Sequence, residues 1–528
     1  MRMDLYDLGK VGIISDLPGH TLPPEAWTDG YNVRFNNESI NSRLGHRLVY
    51  NPNPVAPAFI LPVQTPTEFL WLYTSLNKAY CISGQTHTDI TRTSGGDYTA
   101  SNYYDWNGCT FSGIPIINNG ADDPQFWNNA APANKLAKLT NWPANTKAKI
   151  IRAYKNFIFA FNVTESSVRY PHRVRWSDAA GPGTLPSSWD YTDPTKLTGA
   201  RELTDPEAGE ILDAYQLQDA LIVYKQNSIW VFRLTSGDEI FSSFQYSNMS
   251  GILAPRCFAA GPQGTSHIVV TSDDVLLFSL GSLQSIVDRR VRNRLFDEVD
   301  PGNVNKCFAY SDNKRSEFQF CYVPKGSDNV ERSLLWNWKD NTFTFEDFRG
   351  ECAALGPVEL SVSEVQWDSS DTDASWADYE DTWSGGNAFN NREVLVGDFV
   401  NTKMYLMNNG THLNDVDIPS YIERTGLPFV GRSRDGQPKA DLYSVKCVHR
   451  VWPKITGGPV NIRIGVQTDL SAPIEWTDPI QFVPGIDTYV EPEQPVTGKL
   501  IGFRIESDGG ETFQIDGIDY DFEIVGEF

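Results

Sequence analysis

The chain has 528 residues and a formal net charge of −23. That balance argues against a protein that grips nucleic acid by neutralising phosphates, which needs clustered Lys and Arg, though not against one that lets DNA pass. With 40% hydrophobic and 12% aromatic residues, 41 Gly and 32 Pro, the composition fits a strand-rich, turn-rich chain with sizeable cores, of roughly three or four domains or fewer if one large all-β unit is present.

Seven cysteines (Cys81, Cys109, Cys257, Cys307, Cys321, Cys352 and Cys447) are odd in number, widely spaced and without a CxxC pair. They are expected to be free thiols in a reducing compartment. No run of about 20 apolar residues marks a membrane span. The first twenty residues lack the apolar core and cleavage site of a signal peptide. Such a chain is expected to stay where it is made unless it is assembled into something larger.

Residues 1–60 read as an extended N-terminal arm with the first strands. Pro18, Pro23 and Pro24 break any helix, and residues 31–35 alternate as a short strand. Residues 69–82 read as a hairpin turned at Leu76-Asn77-Lys78. Residues 102–127 give a strand, an Asn-Gly turn and an aromatic anchor at Trp127. In residues 173–190, RVRWSDAAGPGTLPSSWD, a Trp-Ser-Asp turn leads into a Gly/Pro loop long enough to reach a partner.

The stretch 215–233, YQLQDALIVYKQNSIWVFR, reads as two strands folded back at Lys225-Gln226-Asn227. Residues 155–161 and 273–278 repeat its theme of a polar turn followed by an apolar run ending in Phe. Repeated hairpins cannot bury their faces alone, so copies must stack or close into a ring. A β-propeller is expected over residues 61–350.

Within it, Val287, Val291, Leu295 and Val299 are spaced by four, a helical period. Arg289, Arg290, Arg292 and Arg294 crowd the same run. They are candidate subunit-interface residues, paired with carboxylates of this chain or a neighbour. A nucleic-acid contact is the competing reading, disfavoured amid so much negative charge.

Residues 351–391 hold nine carboxylates, no Lys or Arg, and Trp367, Trp376 and Trp383. They read as an acidic linker or loop. Glu364, Asp368, Asp371, Asp373, Asp378, Glu380 and Asp381 are its candidate lumen or gate residues. Residues 392–528 alternate cleanly: Ile501, Phe503 and Ile505 share one face, as do Ile518, Tyr520, Phe522 and Ile524. A β-sandwich is expected, whose first strands could complete the propeller. From residue 475 to the end, thirteen carboxylates oppose only Lys499 and Arg504.

Chemical signatures are absent: no P-loop, no dinucleotide fingerprint, no HExxH, no GxSxG, and no pair among the seven His at helical ligand spacing. No metal, cofactor or catalytic residue is expected. Residues 369–376, SSDTDASW, approach the Asp-box of sialidase-type propellers, but Asp373 stands where that pattern wants Gly. Asp105-Trp106, Trp189-Asp190 and Trp367-Asp368 are acidic–aromatic pairs of the kind a propeller glycosidase could use, with nothing to select among them.

The run LPPEAWTDGYNVRFNNESINSRLGHRLVY (22–50) resembles the opening of tail proteins of short-tailed phages: a Leu-Pro element, an Asn-Val-Arg-Phe strand, a turn, then Arg-x-Gly. The usual Gly of the turn is replaced around Asn37-Glu38. IINNGADDPQFW (116–127) is similar to the same proteins. The order of strand, Ile-rich step, helix, KCFAYSDNKRSEFQFCYVP (306–324) and SLLWNWKDNTFTFED (333–347) resembles the distal blades of tail nozzle proteins, including the packaged-DNA stabilisation type.

The resemblance implies a virion tail protein, made in the bacterial host cytoplasm and forming a ring, a homohexamer, below the portal and adaptor. Tail fibre, tailspike or needle proteins would be further partners. Double-stranded DNA would pass without sequence-specific binding, since an acidic lumen lets a polyanion slide. A carbohydrate-binding or carbohydrate-degrading propeller of a phage tail is the alternative, and a non-catalytic adhesion module a third.

Overall fold

The computed structural model describes residues 2–358 and 392–527, apart from positions 37, 52, 67, 206–208, 237–238, 415 and 433–437. The described chain is all-β: one α-helix, Arg292–Glu298, stands among several dozen strands. Two units emerge. Unit 1 comprises Met1–Arg47, Glu207–Gly350 and Met407–Phe528; unit 2 comprises Leu48–Pro206 and Glu351–Leu406.

Unit 2 is built from consecutive antiparallel meanders. Phe59–Gln64, Phe69–Thr74, Ala79–Ser83 and Thr86–Asp89 form the first; four strands between Asn107 and Lys138 form the second; Thr146–Tyr154, Phe157–Glu165, Val168–Trp176 and Gly199–Glu202 form the third. The expected turn at residues 76–78 lies between Phe69–Thr74 and Ala79–Ser83, with Ala79 opposite Thr74. Trp127 is fully buried, as an anchor should be. In the long loop after Trp176, Trp189 packs edge-on against Trp142 at 4.8 Å, so the loop's aromatic end is used within its own unit.

Unit 1 repeats the pattern. Ile211–Leu217, Ala220–Lys225, Ile229–Leu234 and Phe241–Ser247 form one meander, and four strands between Phe258 and Ser285 form another. The stretch 215–233 therefore covers the end of one strand and a complete hairpin, whose turn closes where Tyr224 faces Ile229. Val287, Val291, Leu295 and Val299 are all buried. Backbone bonds run from the Val291 amide to Val287, from Leu295 to Val291 and from Val299 to Leu295, but the helix itself spans only Arg292–Glu298, with Val291 and Val299 as its caps and Val287 in the turn before it.

The N-terminal segment is woven into unit 1. The meander Phe308–Asp312, Glu317–Tyr322, Arg332–Asn337, Thr342–Asp347 continues into Asp29–Tyr31, then Tyr421–Leu427, Leu500–Ser507 and Val460–Gln467. Tyr31 thus sits between Phe345 on one side and Tyr421 on the other. A second sheet runs Val496–Gly498, Ser444–Gly457, Phe513–Glu527, Ser39–Ser42, Val33–Asn36, with Arg2–Leu5 also on Phe513–Glu527. Residues expected in an arm therefore supply strands to both sheets. Ile501, Phe503 and Ile505 are buried together, as are Ile518, Tyr520 and Phe522, but Ile524 is 53% exposed. The expected apolar face thus ends one position earlier than its alternation suggests.

Candidate functional site

Val33 and Phe35 point into the apolar core of unit 1. The alternation turns Arg34 to the opposite face of the strand, yet Arg34 is also buried. The reason is a pair of carboxylates from the neighbouring meander. Arg34 Nη1 donates to Glu317 Oε1 and Oε2 at 2.9 and 2.8 Å. Its Nε donates to Glu346 Oε1 at 3.0 Å. Glu346, with no exposed surface, also meets Arg43 Nε at 3.3 Å and accepts from Gln319 Nε2 at 3.3 Å. Arg43 donates onward to the Asp347 carbonyl. Two guanidiniums and two carboxylates thus meet in one buried cluster.

The electrostatics follow. Burial works against charge on Arg34, but Glu317 and Glu346 outweigh it and raise its proton affinity. Burial pushes Glu346 up, yet Arg34 and Arg43 together hold it below the usual carboxylate range. Glu317 is pushed up to about 7, by burial first and by Glu346 and Asp312, against the pull of Arg34. His46, 3.0 Å from Arg43 Nη2 through Nε2, is driven well below its ordinary value by burial and by that guanidinium.

Above this cluster opens a pocket of about 600 Å³, lined by Arg34, Asn36, Asn41, Glu317, Asn408, Phe513 and Gln514 among others. Among the described residues Glu317 is the single carboxylate in its lining, and both its oxygens are held by Arg34. Hydrolysis of a glycoside needs two carboxyls across the scissile bond, and this pocket offers one. The acidic–aromatic pairs fare no better. The Asp105 carboxylate accepts from the Asn102 backbone and side chain, and that of Asp190 from the Thr192 backbone and hydroxyl. Both are turn caps. The third pair, Trp367-Asp368, lies outside the described residues. Among the described residues no group of three or more His, Cys, Asp or Glu is placed to hold a metal. None of the seven cysteines is in a disulfide among the described residues, and six are buried.

The arginine run divides. Arg294 reaches Asp29 and Glu298 and lies 4.0 Å over the Phe345 ring. Arg292 meets the carbonyl and carboxylate of Asp273 at 2.7 and 3.2 Å. Arg290 donates to the Asn341 carbonyl at 2.9 Å, and its own carbonyl accepts from the Ser15 and Asp16 amides. Arg289 is exposed, with a left-handed φ of 57°. Three of the four candidate interface arginines therefore have partners inside unit 1, two of them on the N-terminal segment. The candidate lumen residues Glu364, Asp368, Asp371, Asp373, Asp378, Glu380 and Asp381 lie outside the described residues.

Sequence reasoning passed over Arg34, Arg43, Glu317 and Glu346. Their signal was there: Arg34 inside NVRF, Glu317 inside SEFQF and Glu346 inside TFED are charges set in strands otherwise rich in buried aromatic residues.

No family model matches the chain, and no curated protein matches it. Among solved structures, the β-propeller domain of Cps50 (Swd1) from Myceliophteria thermophila is similar over 61% of this chain and 96% of its own, at 11% identity and a TM-score of 0.32. PorZ, a bacterial surface component of the type-IX secretion system of Porphyromonas gingivalis, is similar over 73% of this chain and 44% of its own, at 10% identity and a TM-score of 0.34. At such scores neither likeness bears on function.

Proposed function

We propose that this chain is a non-catalytic structural protein of a short-tailed phage tail, a nozzle subunit that closes into a ring below the portal and adaptor and conducts double-stranded DNA. In this reading the four-stranded meanders are propeller blades, and the C-terminal strands with the N-terminal ones form the sandwich. One observation supports it above others. The residues that carry the resemblance, Asn-Val-Arg-Phe and Arg-x-Gly, are those that tie the N-terminal segment into unit 1. Asn32 donates to the Asp347 carboxylate and the Pro419 carbonyl, both at 2.8 Å, and accepts from the Asp347 amide. Arg34 and Arg43 hold the buried carboxylates. A Cβ on Gly45 would come within 2.2 Å of the His412 carbonyl oxygen.

The spent carboxylates of the pocket and turns support a non-enzymatic role, and the net charge of −23 suits a channel that must not hold DNA. Mass photometry of the purified protein, then negative-stain imaging with a portal–adaptor complex, tests the proposal. Six-fold rings, alone or on that complex, are expected. A chain that stays monomeric and ignores the complex overturns it.

A further inference from the structure

In the ten-stranded sheet of unit 1, Gly465 stands directly opposite Gly502 across Val460–Gln467 and Leu500–Ser507. Neither glycine has a left-handed φ, so the backbone alone does not call for them. What calls for them is the space above. A Cβ on Gly465 would lie 2.5 Å from Ile474 Cδ1 and 2.7 Å from Trp476 Cε3, and one on Gly502 would lie 2.3 Å from Ile474 Cδ1, 2.9 Å from the Arg424 carbonyl oxygen and 3.2 Å from Trp476 Cη2. Glycine inside a strand costs roughly 0.5–1 kcal/mol relative to alanine, and here two paired glycines clear a floor on which Ile474 and the Trp476 indole lie. Trp476 is only half-buried. It lines a cleft of about 590 Å³ together with Glu475, Asp478, Glu493, Gln494 and Thr497. The three carboxylates are exposed and have no ion-pair or hydrogen-bond partner among the described residues.

We propose that this cleft binds a saccharide, one pyranose ring stacked by its C–H face on Trp476 with its hydroxyls donating to the surrounding acceptors. The donor–acceptor match carries the assignment. Carboxylates accept only, hydroxyls of a sugar donate, and the Gln494 amide does both. A flat indole offers the apolar, weakly negative face that a pyranose C–H surface fits. The acidic rim disfavours uronates and phosphorylated sugars, so the class is uncharged or amino-bearing pyranosides. The proposal is independent of the ring reading, because it rests on the Trp476 cleft alone.

Calorimetric titration of the full chain tests it, with the N-acetylglucosamine trisaccharide, maltotriose, the glucosamine trisaccharide and trigalacturonate as probes and an oligoarginine peptide as competitor class. Saturable binding of at least one of the first three is expected, with trigalacturonate weaker by about tenfold or more. Trp476→Ala should weaken binding by about tenfold or more. Gly465→Ala should weaken it too, since the new methyl would press on both Ile474 and the Trp476 indole. Glu493→Gln touches nothing else and should weaken binding a few-fold with unchanged thermal unfolding, which keeps the test valid if Trp476→Ala unfolds. No saturable binding of the first three at millimolar concentration overturns the proposal. So does binding that survives both Trp476→Ala and Glu493→Gln, or a Trp476-dependent preference for oligoarginine.

Discussion

Glu346 has no exposed surface and faces two guanidiniums, whereas Glu493, in the same unit, is exposed and faces none. The same functional group is structural in the first place and available in the second. Burial makes the difference. Inside, a charge is tolerable only when paired and hydrogen-bonded, so its partners are fixed by the fold. Outside, water screens it, and an unpaired carboxylate remains free to accept from whatever enters the cleft.

The sharpest way to break this contrast is to remove one interior partner. Glu346→Ala leaves Arg34 to Glu317 and takes from Arg43 the carboxylate it meets, and should cost ~3–5 kcal/mol of stability, read as a large drop in the unfolding midpoint by denaturant titration. A loss below ~1 kcal/mol, the range of an exposed pair, would mean that the interior cluster is wetter than its geometry.

The next effect sharpens the contrast with a single buried group. His267 is held between the Tyr224 hydroxyl at 2.7 Å and the Gln216 carbonyl at 3.1 Å. Since the carbonyl can only accept, Nε2 carries the proton and Nδ1 accepts from Tyr224. Burial lowers its pKa to about 4, below the unfolded value of about 6.5. Between those values the unfolded chain binds a proton and the folded one does not, so stability falls as pH drops through that window, by up to ~3 kcal/mol. Glu317, raised to about 7, works oppositely and loses stability as pH rises from its unfolded value of about 4.5. The comparison is therefore the difference between wild type and His267→Gln across pH 4–7. The variant should lack the acid-side loss, and parallel curves would refute the assignment.

The smallest effect lies at the exposed end. Glu475→Gln with Glu493→Gln removes two unpaired like charges and should change stability by less than ~0.5 kcal/mol in either direction. A destabilisation above ~1 kcal/mol would show that these carboxylates have structural partners after all.

Local order was well written in the residues. The spacing of Val291, Leu295 and Val299 gave the helix, and the turns near Asn77 and Gln226 gave hairpins, because periodicity and turn chemistry act over a few positions. Asp29–Tyr31 was not legible as the strand that joins the mid-chain meander to the C-terminal ones. Three residues carry no period, and their partners, Phe345 and Tyr421, lie hundreds of positions away. The interior cluster was half legible. A charge such as Arg34 between Val33 and Phe35 announces a buried partner, but only the fold names Glu317 and Glu346. The same holds for Trp476, whose acidic neighbours are plain in sequence while its two glycines become meaningful only when the strands align.

The central place of Asp29–Tyr31 has a consequence for synthesis. Tyr31 leaves the ribosome long before Tyr421, its antiparallel neighbour, and at about 5–20 residues per second the wait is tens of seconds. Asp29–Tyr31 has neither neighbour until Phe345 is made, and unit 1 cannot close until its last hundred residues arrive. Translation of this protein therefore produces a long-lived nascent chain with open strand edges, a natural client for chaperones, and a stalled or truncated product would be one that aggregates.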